Sequence, residues 1–442
     1  MALGGGTWFT QNKKLPGSYI NFVSAAKATA NLADRGYCAF PMVLNWGETG
    51  KVFTVEGEDF QKNSLKLFGY SYDDDNLKPL REIFRNAKTL YLYRVGVGAK
   101  ASSTLATAKY AGIRGNDIKI TATATTDNGF IIVTKVGDTV VDEQTITTSS
   151  SNDLVSNDYV DFTSDVTITA QTYSFTGGTN GTASGTEYQA ALAALESYSF
   201  NVLGCDSSTD TVKDLFIAYT KRMRDEVGAK FQCVVYDKAA DYEGVINVVN
   251  KALDGATGSG ESLTYPNETA MTYWVAGAEA GCAINKSLTN TKYDGEYTPD
   301  TNYTQTALGN ALDGGQFIFH KVNDDVRVLE DINSFISFTK DKTVDFASNQ
   351  TIRVCDQIAI DIANLFNTYY LGKVPNDNSG RISLWTDIVK HHKTLQDLRA
   401  IEDFDSANVT VAQGETKKSV VVTDLITVTN AMAQLYMTVV VS

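Results

Sequence analysis

Histidine is nearly absent: His320, His391 and His392 are the three in 442 residues. That leaves little material for acid–base catalysis near neutral pH. Cysteine is sparse and scattered. Cys38, Cys205, Cys233, Cys282 and Cys355 form no CxxC pair and no Cys/His ligand spacing, so neither a zinc site nor a disulfide framework is expected. Cys205 and Cys233 lie in the apolar runs NVLGC and FQCVVY and read as small buried hydrophobes, in a chain synthesised in a reducing cytoplasm. Excess positive charge is missing too. With 38 Lys and Arg against 52 Asp and Glu the formal net charge is −14, the wrong sign for wrapping nucleic acid. No run approaches the ~18 apolar residues of a membrane span, and MALGGGTWFTQNKK lacks the apolar core of a secretory signal.

The motifs that resemble chemistry fail on inspection. GATGSGES at 255–262 has the glycine spacing of a phosphate-binding loop, but Glu261 stands where the lysine belongs and would repel a nucleotide. GTASG at 181–185 places Ser184 fourth rather than third, so it is no nucleophile elbow. His391 and His392 are adjacent on a helical pattern, where neighbours diverge by ~100°. The reading is one half-buried and one surface histidine, not a metal pair. DDD at 73–75 reads as a solvated turn ahead of the helix start DNLKPLREIF, where Asp serves as a cap. No catalytic, metal or cofactor site is expected.

What the chain does have is an ordered succession of patterns. Residues 1–18, Gly- and Lys-rich and ending in LPGS, read as an arm, followed by the short strand SYINFVS. From about residue 98 Thr, Val, Ser and Gly dominate. NDIKITATATT, GFIIVTKV, TVVDEQTI and DVTITAQTYSF are strand-like, and TDNG and KVGDT are hairpin turns. This is an inserted all-β sandwich over 98–182.

Strand and helix patterns alternate afterwards: FNVLGCD, then a helix with Val212, Leu215, Tyr219, Met223 and Val227 on one stripe, then KFQCVVYD, EGVINVVNKAL and a helix near NETAMTYWVAGAEAGCAINK. That spacing implies a partly parallel sheet covered by helices. GQFIFHKVNDDVRVLEDI reads as a hairpin. Two further helices present Cys355, Ile358, Ile362, Leu365 and Tyr369, and Leu384, Ile388, His391, Leu395 and Leu398. The hairpin ANVTVAQGETKKSVVVTDLITV follows. The expected division is an N-terminal arm 1–18, an α/β core over 19–97 and 183–340, the sandwich 98–182, an α+β domain 341–430 and a terminal strand 431–442.

That last segment, QLYMTVVVS, is a strong strand former at a chain terminus. An unpaired apolar strand is a template for another sheet edge.

Four stretches carry a family resemblance, in order and spanning nearly the whole chain. LPGSYINFVSA with DRGYCAFPMVLNWG, then AKYAGIRGNDIKI, then RISLWTDIVKHHKTLQDLRAIEDF, and finally NAMAQLYMTVVVS resemble contractile-tail sheath proteins of phages and prophages of Gram-positive hosts. The resemblance implies a multidomain α/β (α+β) fold: a non-catalytic core shaped like subtilisin-type folds, the inserted sandwich, and a C-terminal sheath domain. It implies a structural subunit, not an enzyme, that polymerises as hexameric rings or a six-start helix around a tail tube protein, between baseplate and tail terminator proteins. Contraction would drive the tube through the host envelope. Assembly in the bacterial cytoplasm, residence in a virion tail or tail-like particle, and no direct contact with nucleic acid or membrane follow.

Inter-subunit strands would be supplied by Leu15, Tyr19, Ile20 and Phe22 at one end and Leu435, Tyr436, Met437, Val439 and Val441 at the other. Two rival readings remain on composition alone. A cytoplasmic α/β enzyme with an inserted β domain requires a titratable cluster in a cleft. A surface adhesin suits the Thr/Ser/Gly-rich segment but requires a secretion signal.

Overall fold

The structure, a computed structural model, describes residues 34–253 and 268–441. The arm residues Leu15, Tyr19, Ile20 and Phe22 and the 255–262 loop lie outside the described residues. What is described falls into two compact units, a larger one made of 34–360, 398–402 and 427–441 and a smaller one made of 361–397 and 403–426.

The larger unit opens with β1 (Tyr37–Val43), β2 (Val52–Glu56), helix α1 (Gly57–Phe68), helix α2 (Lys78–Phe84) and β3 (Thr89–Val95). YCAFPMV and TLYLYRV are buried along nearly their whole length, the near-continuous apolar pattern of strands covered on both faces. Asp74 caps the short turn before α2, accepting from the Asn76 amide at 2.9 Å.

The inserted segment contributes β4 (Lys100–Ser102), β5 (Ala106–Ala111), β6 (Ile118–Ala124), β7 (Phe130–Val136), β8 (Thr139–Ile146), β9 (Val160–Phe162) and β10 (Thr172–Ser174). They form a four-stranded sheet in the order β10-β6-β7-β8 and a three-stranded sheet β4-β5-β9. Phe130, Ile132, Thr134 and Val136 alternate inward along β7, the period-two pattern of a sheet buried on one face. The two predicted turns are present, with Asn128 and Gly137 at positive φ of 60° and 62°. DVTITAQTYSF is less regular than its pattern predicts: only Thr172–Ser174 pairs as a strand, and Thr167 makes a single bridge to Ser150.

The chain then returns through α3 (Gly185–Leu195), β11 (Val202–Gly204), α4 (Asp210–Arg222), β12 (Gln232–Tyr236), β13 (Val245–Val248), α5 (Ala270–Gly281), α6 (Gln305–Asp313) and β14 (Gln316–Phe317). The central sheet runs β14-β13-β12-β11-β1-β3-β2, parallel throughout except that β2 is antiparallel to β3. Helix α5 is predominantly apolar and buried from Ala270 to Ala280, because it is enclosed by the sheet and by α2. Gly277 permits that approach: a Cβ there would sit 2.3 Å from the Ile83 carbonyl oxygen.

The stripe expected on the helix after β11 holds for Val212, Tyr219 and Met223, which are buried, but not for Val227, which is exposed. Residues Met223–Val227 form a π-turn, and its wider winding rotates Val227 off the face that α4 presents.

A two-stranded hairpin of β15 (Phe319–Val322) and β16 (Asp325–Val328) precedes α7 (Asn349–Leu365) and α8 (Asn378–Asp397). The remaining strands are β17 (Ile401–Glu402), β18 (Thr410–Gln413), β19 (Val420–Thr423) and β20 (Thr427–Val428). In the smaller unit Leu365, Tyr370, Leu384, Ile388, Val389 and Val409 form the core. Two expectations are corrected here. Leu398 lies beyond the end of α8 and is exposed. On α7 the apolar stripe from Cys355 to Tyr369 is only half-buried apart from Leu365, whereas Arg353, Asp356, Gln357 and Asp361 are buried, because buried partners claim the polar face.

Candidate assembly interface

The crevice where an open parallel sheet usually holds a ligand lies beyond the C-terminal ends of the strands at which the order reverses. Here that point is between β1 and β11, and polar contacts fill it. Asn45, just after β1, donates to the Tyr70 hydroxyl at 2.8 Å and accepts from the Asn180 amide at 2.8 Å. Asn180 belongs to the irregular segment that leads back from the sandwich and also accepts from the Ile113 amide. Arg94 donates to the Gly47 and Ala111 carbonyls, and Trp46 packs edge-on against Tyr110 within the sandwich core.

Asp206, just after β11, accepts from the Tyr188 hydroxyl at 2.6 Å and the Val43 amide at 3.4 Å. Burial pushes its carboxyl up to about 6. A raised carboxyl in a cleft would suggest catalysis, but both oxygens of this one are committed to structural donors.

Two further raised carboxyls are tied in the same way. Burial raises Glu82 to about 7, and it accepts from the Tyr293 hydroxyl at 2.8 Å and the Glu296 amide. Burial lifts Glu279 well above the carboxylate range, inside a network with Asp331, Arg353 and Asn349. Among the described residues no three His, Cys, Asp or Glu side chains gather as a metal site, and no helix is long and apolar enough to cross a membrane.

The feature that the fold leaves unfinished is the closing segment. Its base is pinned within the larger unit. β20 pairs antiparallel with β17 through Ile401–Val428 and Glu402–Thr427. The Thr429 amide donates to the Ala400 carbonyl, and Gln350 bonds both the Thr429 carbonyl and the Ala431 amide.

Beyond Ala431 that support stops. Residues 432–441 take part in no strand pairing among the described residues. Leu435, Tyr436 and Val441 are 86%, 88% and 90% exposed, and Met432, Met437, Val439 and Val440 are exposed as well. So much contiguous apolar surface on one strand-forming segment marks a docking element.

The smaller unit contains an element with the complementary deficiency. Among the described residues β18 and β19 pair only with each other, from Thr410–Thr423 to Gln413–Val420. A two-stranded hairpin alone is marginal, and Val421 and Val422 are exposed on this one. The hairpin is held to its unit by Trp385, whose indole N–H donates to the Val409 carbonyl at 2.9 Å, and by Asn376, which donates to the Lys417 and Ser419 carbonyls. A cavity of about 100 Å³ beside it is lined by Phe366, Leu371, Val374, Arg381, Lys418 and Val420 among others.

Comparison with known proteins places this fold in a family. Four family models match in succession: the tail sheath protein Gp18 domain III N-terminal region at 35–95, the phage tail sheath protein beta-sandwich domain at 95–180, the phage tail sheath protein central domain at 181–334 and the phage tail sheath C-terminal domain at 341–442. The chain belongs to the phage tail sheath protein family.

This sheath protein is 33% identical to the phage-like element PBSX protein XkdK of Bacillus subtilis (strain 168) over 93% of its own length and 94% of the relative's. It is similar to the crystal structure of a sheath tail protein from Desulfitobacterium hafniense, at 37% identity, a TM-score of 0.80, and coverage of 90% and 93% of the two chains. It shares a fold with the helical sheath of the anti-feeding prophage in its contracted state, at 11% identity and a TM-score of 0.58 over 97% and 99% of the chains. As a member of the family it is a structural subunit of a contractile sheath, a component of a virion tail or tail-like particle.

Sequence reasoning singled out Leu435, Tyr436, Met437, Val439 and Val441, and the structure leaves all five exposed and unpaired. The polar grip of Gln350 on the base of that segment was not anticipated. Its only sequence signal is a glutamine at the second position of a helix.

Proposed function

We propose that Leu435 to Val441 leaves its own subunit and completes the β18–β19 sheet of a neighbouring copy, with the arm residues Leu15, Tyr19, Ile20 and Phe22 supplying a second link. Residues 1–18 and 431–442 act as arms, and 19–97 with 183–340 as a rigid core related in shape to subtilisin-type folds but without their chemistry. The exposure of the closing segment beyond its Gln350 anchor carries this reading. Main-chain hydrogen bonds give attachment and alternate side chains give register. Burying Leu435, Met437, Val439 and Val441 contributes ~1.5–3 kcal/mol each before ordering costs, an upper bound of about 6–12 kcal/mol.

Copies linked in this way form hexameric rings or a six-start helix around a tail tube protein, starting at the baseplate and ending at a tail terminator protein, and assemble in the host cytoplasm. The extended lattice is metastable. Release lets cores move as nearly rigid bodies into a shorter, wider array while the arms keep neighbours joined, and the tube is driven through the host envelope. The energy comes from new core–core contacts and not from a nucleotide.

Deleting residues 434–442 tests the arm. Electron microscopy of the concentrated protein should show tubular polymers for the full chain and folded, unassembled subunits for the truncated one. Unchanged tubes after truncation would refute the strand exchange.

A further inference from the structure

The KHHK stretch of α8 contains a buried hydrogen-bonded chain that the assembly reading does not use. His391 and His392 are 1% and 0% exposed. The two rings lie 5.3 Å apart with Nδ1 facing Nδ1 at 3.2 Å. His391 Nε2 meets Asp361 Oδ2 at 2.9 Å, and His392 Nε2 meets Asp424 Oδ2 at 2.5 Å. Asp361 comes from α7 and Asp424 from the residue after β19, so three parts of the smaller unit converge on one pair of rings.

The proton count of this chain is constrained by its geometry. Three links, Asp361–His391, His391–His392 and His392–Asp424, need one proton each. Two neutral imidazoles carry two protons, and two carboxylates carry none. With two protons one link is left with facing lone pairs. With four, either two N–H groups collide at Nδ1 or a carboxyl is protonated against a donor. Only three protons, one imidazolium and one neutral imidazole between two carboxylates, satisfy every link, and buried polar networks are stable only when fully satisfied.

We propose that Asp361, His391, His392 and Asp424 form a proton-dependent clasp that ties the end of the β18–β19 hairpin to α8 and α7, closed when the two imidazoles share one additional proton. The clasp loosens as that proton leaves with rising pH, and again when a fourth is forced in at low pH. Among the described residues the groups facing the pair include Asp361 from α7, Asp424 beyond β19 and the apolar ring of Phe404 against His392 at 5.1 Å. On α8 itself Asp387 is engaged by the Tyr370 hydroxyl, and Lys390 and Lys393 are exposed. The hairpin that receives the neighbour's strand in the proposed assembly is thereby held in shape by a solvent-derived proton. The test uses unassembled protein, so its outcome is independent of that assembly reading.

Because the chain has three histidines, ring-¹⁵N-labelled full-length protein yields three ring systems, with His320 on the β15–β16 hairpin as an internal reference. Titration from about pH 5 to about pH 9 spans ordinary histidine behaviour. Two rings should change together in one-proton steps, with unequal protonation of the Nδ1 atoms at intermediate pH. Amide exchange of residues 420–426, corrected for intrinsic rate, should be slowest in that interval and on the order of tenfold faster once the proton is lost, the effect of one hydrogen bond to a charged group. Asp424→Asn removes a charge that favours the third proton, and should shift the alkaline limb to lower pH. His392→Gln should flatten the profile. Two rings titrating independently, or exchange in the native chain that does not vary with pH, would overturn the clasp. Should His392→Gln fail to fold, the native titration and Asp424→Asn decide alone.

Discussion

Arg224 grips Asp356 with two hydrogen bonds, Nη1 to Oδ2 at 2.6 Å and Nη2 to Oδ1 at 2.8 Å, across 132 positions of sequence. Arg224 belongs to the π-turn after α4 and Asp356 to the buried face of α7, and Arg224 Nη1 also donates to the Phe231 carbonyl. Neighbouring Arg353 does the same for Glu279, Asp331 and the Lys286 carbonyl. The first half of α7 is therefore held in the larger unit by buried charge pairs alongside the buried Ile352 and Val354.

Breaking the pair from one side should be costly. Arg224→Ala leaves the Asp356 carboxylate without its partner, and about 3–5 kcal/mol of stability should be lost. The double replacement Arg224→Met with Asp356→Leu should recover most of it, since no unpaired charge remains. Urea midpoints of the three proteins check both statements, and equal losses in single and double variants would contradict them.

Glu82 makes the protein sensitive to pH on the alkaline side. Its folded carboxyl is raised from 4.5 to about 7, so the folded state favours the protonated form. Its stabilising contribution is complete below about pH 4.5 and is lost as pH rises through about 7. Glu82→Gln, which mimics the neutral acid, should match the native protein at low pH and exceed it by on the order of 3 kcal/mol near pH 8. A stability difference independent of pH would refute the assignment.

Helix contact through Gly277 should tolerate no side chain. The 2.3 Å approach of a new Cβ to the Ile83 carbonyl forces α2 and α5 apart, and overpacking of this kind costs ~1–3 kcal/mol or more. Gly277→Ala should lower the melting temperature by several degrees. Gly185, at the start of α3 with nothing within 4 Å of its Cβ position, is the control: Gly185→Ala should leave the melt unchanged or slightly raised.

Charge placed on the arm should separate folding from assembly. Val439 is exposed in the lone chain, so Val439→Asp should alter subunit stability by no more than about 0.5 kcal/mol. Its place in a completed sheet would bury that charge without a partner, and polymer formation should fall sharply. Circular dichroism melts and sedimentation of the concentrated protein read the two effects apart.

Much of the architecture was legible locally. TDNG and KVGDT announce the two sandwich hairpins because Asn128 and Gly137 accept positive φ at little cost. The run NETAMTYWVAGAEAGCAINK announces a helix, which the structure places at Ala270–Gly281. His392 was not legible. A helix turns its neighbour His391 some 100° away, and the expected surface position became a buried one because Asp424 and Phe404, remote in sequence, cover it. The half-buried stripe on α7 misled for a related reason: periodicity records apolar residues, whereas the deeply placed side chains there are Arg353, Asp356 and Asp361 with their partners.

The sequence by itself determined the alternation of strands and helices, the inserted β segment and an apolar, strand-forming closing segment, because these depend on neighbours within a few residues. Only the tertiary structure decided which polar groups enter the interior, how Asn180, on the segment leading back from the insert, comes to bond Asn45, and that the closing segment is anchored at Gln350 and then left bare. Those outcomes depend on which distant groups the folded backbone brings within hydrogen-bonding reach, and no local pattern encodes that.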